Sequence, residues 1–378
     1  MLPYLGLVTL IFFAGLVSRE MAFRNSGNSK LTIGAICCAL GTMAAIRAPW
    51  VGADTSNYQS FFVWISSVPL GDLAEVDTVR WNSQGTELTF KIFNKIVSLV
   101  SNNPQAITIA LGIVLGLALY VVVTRLSDDP WLSLLLFVCL GLFQTAMNIA
   151  PSALAGLCCL AGFSHIENRK LGRFLLYVAL GCVFHYSAIL FVPLYFLYLL
   201  KWRMRVAVVA LVVAFIGIPI VYPLIVTALQ AVVPTRWSQY LTVERINLSQ
   251  LLVWVTILVL YCAARFHEEK ASSHVNDSMQ NMMLLVVGLF YALTMCSTSF
   301  SRLAVLFAPY FIIAIPDVLS RTKESMLNKR TKGMVSASLK YIHANHAKTL
   351  VVILACAAYI VRLSINNIGL TVPYETFL

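Results

Sequence analysis

The sequence predicts an all-α, polytopic integral membrane protein, and three observations make that prediction. Mean hydropathy is +0.82 over the 378 residues. Charged residues make up 11% of the chain, against about 25% in a soluble globular protein. Apolar runs recur from the first residues to the last, with no repeat, low-complexity tract or soluble domain set apart. At that charge density a chain of this size cannot cover a water-facing surface. Soluble enzymes, DNA-binding proteins and secreted scaffolds are excluded together.

A helix needs about 20 residues to cross the hydrocarbon core. Spans are expected over 2–18, 31–46, 105–124, 130–148, 150–166, 206–224, 250–266, 279–298, 303–320 and 348–366. The first has no basic residue ahead of it, which fits a span better than a cleaved signal peptide. Stretch 172–200 is flanked by Arg169, Lys170 and Arg173 at one end and by Lys201, Arg203 and Arg205 at the other. Two short helices folded back at His185-Tyr186-Ser187 keep both clusters on one side. That gives about twelve spans in a single transmembrane domain, 1–378, with both termini outside.

Basic residues accumulate on cytoplasmic loops, and the distribution fits this topology. Of 27 Lys and Arg residues, Arg47, Arg80, Lys91, Lys95, Arg236, Arg245 and Arg302 fall outside, Arg362 lies within the last span, and the rest are cytoplasmic. The net charge of +11 therefore calls for no nucleic acid. The nine cysteines all lie in apolar runs without a metal-ligand spacing and read as small hydrophobes. The basic loop 321–347 is expected to touch anionic headgroups of the lipid bilayer.

Two outside loops are long, 47–104 and 225–249. The first ends in a piece that spaces Leu88, Ile92, Phe93, Ile96 and Leu99 along one helical face, with Lys91, Asn94 and Lys95 elsewhere. That pattern predicts an amphipathic helix in the outer interface.

Ionisable groups at membrane depth are costly and mark functional sites by default. The topology brings several to the outside face: Arg47, Asp54, Tyr58, Glu87, Asn148, His185, Arg302, Tyr374 and Glu375. Each has a bland reading. Arg47 and Arg302 can snorkel to headgroups, Asp54 can cap a turn, His185 can be a satisfied core histidine, and Asn148 can bond the backbone that Pro151 frees. Arg362 shows no evident partner in the sequence. What lifts the set is convergence of two arginines, a histidine and carboxylates on one face.

Guanidinium groups bind phosphate oxygens in a fork, so Arg47 and Arg302 suit a lipid-linked diphosphate. Fixed cations can stabilise such a leaving group without a metal. His185, Asp54 and Glu87 are the candidates for accepting a proton from an attacking hydroxyl. The sequence contains no DxD, P-loop or HExxH motif, and no cofactor or metal is expected.

Five stretches then resemble the EpsG family of bacterial membrane proteins, which belongs with the Wzy-type polymerases of O-antigen, capsule and exopolysaccharide. They are Arg47 through Gly52-Ala53-Asp54 to Tyr58 and Phe61; Glu87 with Phe90; Asn148 with Ala153 and Ala155; Phe184-His185-Tyr186-Ser187-Ala188; and Ser301-Arg302-Leu303 with Tyr310 and Pro316, together with Val372-Pro373-Tyr374. One departure stands out: where family members often carry Arg-Gln after the Asn, this chain has Pro151-Ser152. The phosphate-binding role would then pass to Arg47, Arg302 or Arg245.

The resemblance implies a GT-C-like helical core and polymerisation of undecaprenyl-diphosphate-linked oligosaccharide at the outer leaflet of the inner membrane. It implies a site facing the periplasm, and a flippase and a chain-length regulator as pathway partners. Tyr58, Trp64, Trp81, Trp237 and Tyr240 would grip sugars. The alternatives are a flippase of lipid-linked oligosaccharide, which should show repeated halves and cations through the membrane depth, and an acyltransferase using His343 or His346.

Overall fold

The computed structural model describes residues 1–22, 27–76, 87–230, 248–266, 275–297, 300–328, 334–365 and 370–377. The described residues are all helix, turn and coil, and their one β contact is an isolated bridge between Arg47 and Thr376. Among the described residues, four helices are long and apolar enough to cross a membrane, or five if one bent pair is a single span. Seven further apolar helices run 10–17 residues. The expected count of about twelve spans is not confirmed among the described residues, and one expected span, 130–148, is broken by a bend.

The helices in chain order begin with α1 (Leu2–Ala22) and α2 (Gly27–Ala45), followed by α3 (Thr55–Ser67), α4 (Leu88–Ser98) and α5 (Gln105–Leu126). Helices α2 and α5 pack backbone to backbone. A Cβ on Gly112 would lie 2.8 Å from the Ala45 Cβ, and one on Gly116 would lie 2.8 Å from the Cys37 carbonyl. Two glycines four apart on α5 thus provide the small-residue face that lets membrane helices approach closely.

Next come α6 (Pro130–Cys139), α7 (Leu142–Asn148), α8 (Ala150–Ala161), α9 (Phe163–Glu167) and α10 (Leu171–Phe184). The expected span 130–148 is bent by 62° between α6 and α7. The cause is local: Gly141 stands at φ 72° and its amide closes back on the Val138 carbonyl at 2.9 Å, the ordinary glycine stop of a helix. At the end of α10 the chain reverses at His185, and 3-10 turns flank α11 (Val192–Leu197) on its way back. Phe174 stacks on Tyr195 at 6.2 Å and Arg169 lies 4.4 Å over the same ring, so the two arms run side by side.

The remainder is α12 (Met204–Gln230), α13 (Leu248–Phe266), α14 (Val275–Thr294), α15 (Ser301–Phe307), α16 (Phe311–Asn328) and α17 (Met334–Ile365). Burial separates layers. The apolar window of 301–321 is 83% buried, whereas that of 204–228 is 17% buried and shows Val, Ile and Leu outward. The first belongs to the bundle centre with α6 and α8, and the second presents a lipid-type surface.

Helix α4 is amphipathic, as the spacing predicts, and its apolar face points away from the protein. Leu88, Ile92, Ile96 and Leu99 are exposed, while Phe90, Lys91 and Asn94 are buried. The polar face is held by the end of α3 and the turns after it: Lys91 Nζ donates to the Leu73 and Val76 carbonyls at 3.1 and 2.9 Å, and Lys95 Nζ to the Ser66 carbonyl at 2.7 Å.

Candidate active site

One end of the bundle collects the residues that the sequence singles out. Asp54 stands at the N-terminus of α3, Glu87 at that of α4 and His185 at the turn after α10, while Asn148 ends α7 and Arg302 lies in the first turn of α15. Asp54 and Glu87 do not cap their own helices. Helix α8 starts at Ala150 without a side-chain cap, but Pro151 in its first turn carries no N–H and Tyr58 meets the Ala150 backbone. Uncapped helix starts expose backbone N–H groups, and the dipoles make such an end attractive to anions.

His185 and Glu87 form the tightest reactive pair. Nδ1 lies 3.3 Å from Glu87 Oε1, 3.2 Å from the Ser187 amide and 3.0 Å from the Ser187 hydroxyl. The neighbours are of two kinds, donors on Ser187 and an acceptor on Glu87. A bare Nδ1 accepts from Ser187 and a protonated Nδ1 donates to Glu87, so both states are held without rearrangement. Nε2 has no protein partner among the described residues. Glu87 Oε1 also accepts from the Tyr186 amide at 3.3 Å, which fixes the carboxylate against the turn. Burial pushes the imidazole pKa down, the Glu87 carboxylate opposes this, and the Arg302 guanidinium adds to it.

Asp54 is half-buried, and its amide donates to Asn148 Oδ1 at 3.2 Å. Its carboxylate makes no hydrogen bond among the described residues. Burial raises its pKa, and Arg302 pulls it back down. Tyr58, one turn on, reaches the Ala150 backbone and meets Phe90 edge-on at 6.4 Å. Burial and the Asp54 carboxylate push its hydroxyl pKa up, while Arg47 and Arg302 oppose. Arg302 itself is exposed and makes no hydrogen bond or ion pair among the described residues. Its field reaches Asp54, Tyr58 and His185 at once.

Two residues expected to bind substrate turn inward instead. Arg47 is 1% exposed. Its Nε donates to Thr55 Oγ1 at 3.0 Å, Nη2 to the Met147 carbonyl at 3.0 Å and Nη1 to the Ala44 carbonyl. Burial lowers its pKa to about 10, which leaves it charged at neutral pH. The guanidinium ties α2, α3 and α7 together and has no face left for a phosphate. Tyr374 donates to the Met43 carbonyl at 2.6 Å. It belongs to a C-terminal strap: the Gly52 amide meets the Leu370 carbonyl at 3.0 Å, Ala48 meets Glu375 at 2.9 Å, and Trp50 Nε1 donates to Glu375 Oε2 at 2.8 Å. Trp64 packs edge-on against Phe61. Arg245, Trp81, Trp237 and Tyr240 lie outside the described residues, and the side chain of His343 does too.

Sequence reasoning missed Thr55, Gln105 and Trp50. Gln105 Nε2 donates to the Ala45 and Arg47 carbonyls at 2.7 and 3.1 Å and to no substrate-facing group. Its only signal is a polar residue opening an apolar helix. Ser187 was visible, inside the Phe-His-x-Ser-Ala stretch.

A bundle of apolar helices with its reactive side chains gathered at one end defines a polytopic membrane protein with a one-ended polar site. A family model described as the EpsG family matches residues 30–376, and the chain belongs to that family. Membership makes it a membrane protein of the polysaccharide-polymerase type. No curated protein and no solved structure matches it.

Proposed function

We propose that this chain polymerises undecaprenyl-diphosphate-linked oligosaccharide repeat units at the outer leaflet of a bacterial inner membrane, with the His185 end toward the periplasm. One observation supports this most: Arg302 is an exposed cation without a protein partner among the described residues, and its field covers Asp54, Tyr58 and His185 together. Arg302 holds the diphosphate. The acceptor hydroxyl of the incoming unit attacks the anomeric carbon of the growing glycan. The bond from that carbon to the diphosphate oxygen breaks, and the lipid diphosphate leaves with the electron pair. The hydroxyl proton passes to His185 Nε2, and the imidazolium is held by Glu87 at Nδ1. Asp54 is the competing base.

Arg47 positions α3 and α7 in this scheme, and Arg302 takes over the phosphate role. Helix α4, with its apolar face outward, lies in the outer interface beside the site. The GT-C-like core, the sugar contacts and the pathway partners (a flippase and a chain-length regulator) belong to the same proposal.

The test is a glycan ladder from a deletion strain complemented with wild type, His185→Ala or Arg302→Ala at matched protein levels. Single capped repeat units in the deletion, and no ladder with Arg302→Ala, support polymerisation at this site. Lipid-linked units accumulating inside, with no repeat unit at the surface, would establish a flippase instead.

A further inference from the structure

Arg362 is a buried cation that the proposed reaction does not use. It comes from α17, is 4% exposed, and has no carboxylate partner among the described residues. A guanidinium at membrane depth is costly unless its donors are satisfied. Here Nη1 donates to the Leu140 carbonyl at the α6–α7 bend. That acceptor is available because Gly141 leaves the helix. The fit is steric as well. A Cβ on Gly141 would lie 2.7 Å from Nη2 and 3.0 Å from Cζ and Nη1, so the guanidinium fills the space glycine leaves. One turn away on α17, the Tyr359 hydroxyl accepts from Gln144 Nε2 on the first turn of α7. Helix α17 thus grips the start of α7 at two points.

The far end of α7 is held by the other buried arginine, through Arg47 Nη2 and the Met147 carbonyl. With its seven residues α7 is about 10 Å long, and a guanidinium clamps each end. Immediately beyond stand Asn148, whose Oδ1 takes the Asp54 amide, and the Ala150 backbone that Tyr58 reaches. A change in the bend at Leu140 moves both.

We propose that Arg362 is a positioning residue of the active site. By fixing the α6–α7 bend it sets where Asn148 and the start of α8 stand relative to Asp54, Tyr58 and Arg302. The inference rests on reading that end as the diphosphate-binding site.

The experiment titrates farnesyl diphosphate, as a short probe, into the full-length protein in lipid nanodiscs and follows thermal unfolding of every variant. Arg302→Ala should weaken binding by about tenfold or more. Arg362→Met should weaken it about tenfold, since a displaced helix start misplaces the site by a fraction of its own width. Arg362→Lys should stay within about threefold, because an ammonium still donates to Leu140. Lys348→Ala, about four turns before Arg362 on α17, should bind as wild type. Wild-type affinity in Arg362→Met beside a weakened Arg302→Ala overturns the positioning role and leaves the site standing. Wild-type affinity in Arg302→Ala removes the site reading and this inference with it. If Arg362→Met and Arg362→Lys both fail to fold, Arg362 holds the whole fold and the positioning role is overturned.

Discussion

The two ends of the bundle use charge in opposite ways. At the end near the start of α6, several charged groups are paired within the protein. Lys348 meets Asp129, Arg321 meets Asp317, Gln280 donates to the same Asp317 at 2.7 Å, and the Ser320 hydroxyl meets Asp128 at 2.8 Å. At the other end Arg302, the Asp54 carboxylate and His185 Nε2 stand without a protein partner among the described residues. Paired charges fix helices against one another. On the proposed function, the groups left available at the second end are where the substrate binds.

Arg47 belongs with the first kind although it stands at the second end, and substituting it should give the largest effect. Arg47→Ala removes the donors to Met147, Ala44 and Thr55 and leaves a cavity, at about 3–5 kcal/mol. Protein level in the membrane should collapse. An Arg47→Ala protein that accumulates normally and fails only in polymerisation would move Arg47 back among the substrate ligands.

His185→Ala should keep its protein level and lose about 10²–10⁴ in polymerisation rate. Arg302→Ala should lose about 10²–10³, again at normal abundance. Rates measured in isolated membranes separate both from Arg47.

The pH profile sharpens the comparison further. His185 must be neutral to act, and its pKa lies below the ordinary histidine value through burial and Arg302, with Glu87 opposing. Activity therefore rises with pH through that lowered pKa. Glu87→Gln removes the opposing influence, lowers the pKa again and moves the acid limb to lower pH. Arg302→Ala, where residual activity allows, moves it to higher pH. An unmoved limb in Glu87→Gln would take the base assignment away from His185. The smallest effect belongs to the paired end: Lys348→Ala removes a partly exposed ion pair worth about 0.5 kcal/mol and should leave the rate unchanged.

The fold class was legible because hydropathy reports lipid exposure directly. The reversal at His185 was legible too, because basic clusters at both ends of 172–200 favour placing both ends on one face. The α6–α7 bend was not. A single glycine in an apolar run is compatible with a straight helix, and the partner that stabilises the bend, Arg362, arrives from more than 200 positions away. The same distance hid the enclosure of Arg47, whose acceptor at Met147 lies 100 positions along the chain. Charge type and membrane face can be read locally. Whether a guanidinium faces a ligand or a carbonyl depends on contacts that no local pattern carries, so the sequence named Arg47 and Arg302 alike and the fold separated them.

The most direct measurement reconstitutes the purified protein in vesicles with its lipid-diphosphate-linked repeat unit and follows the products of wild type and Arg302→Ala. The account predicts glycans longer than one unit and released lipid diphosphate with wild type, and neither with Arg302→Ala. Repeat units that cross the bilayer unchanged, with no new glycosidic bond, would contradict it.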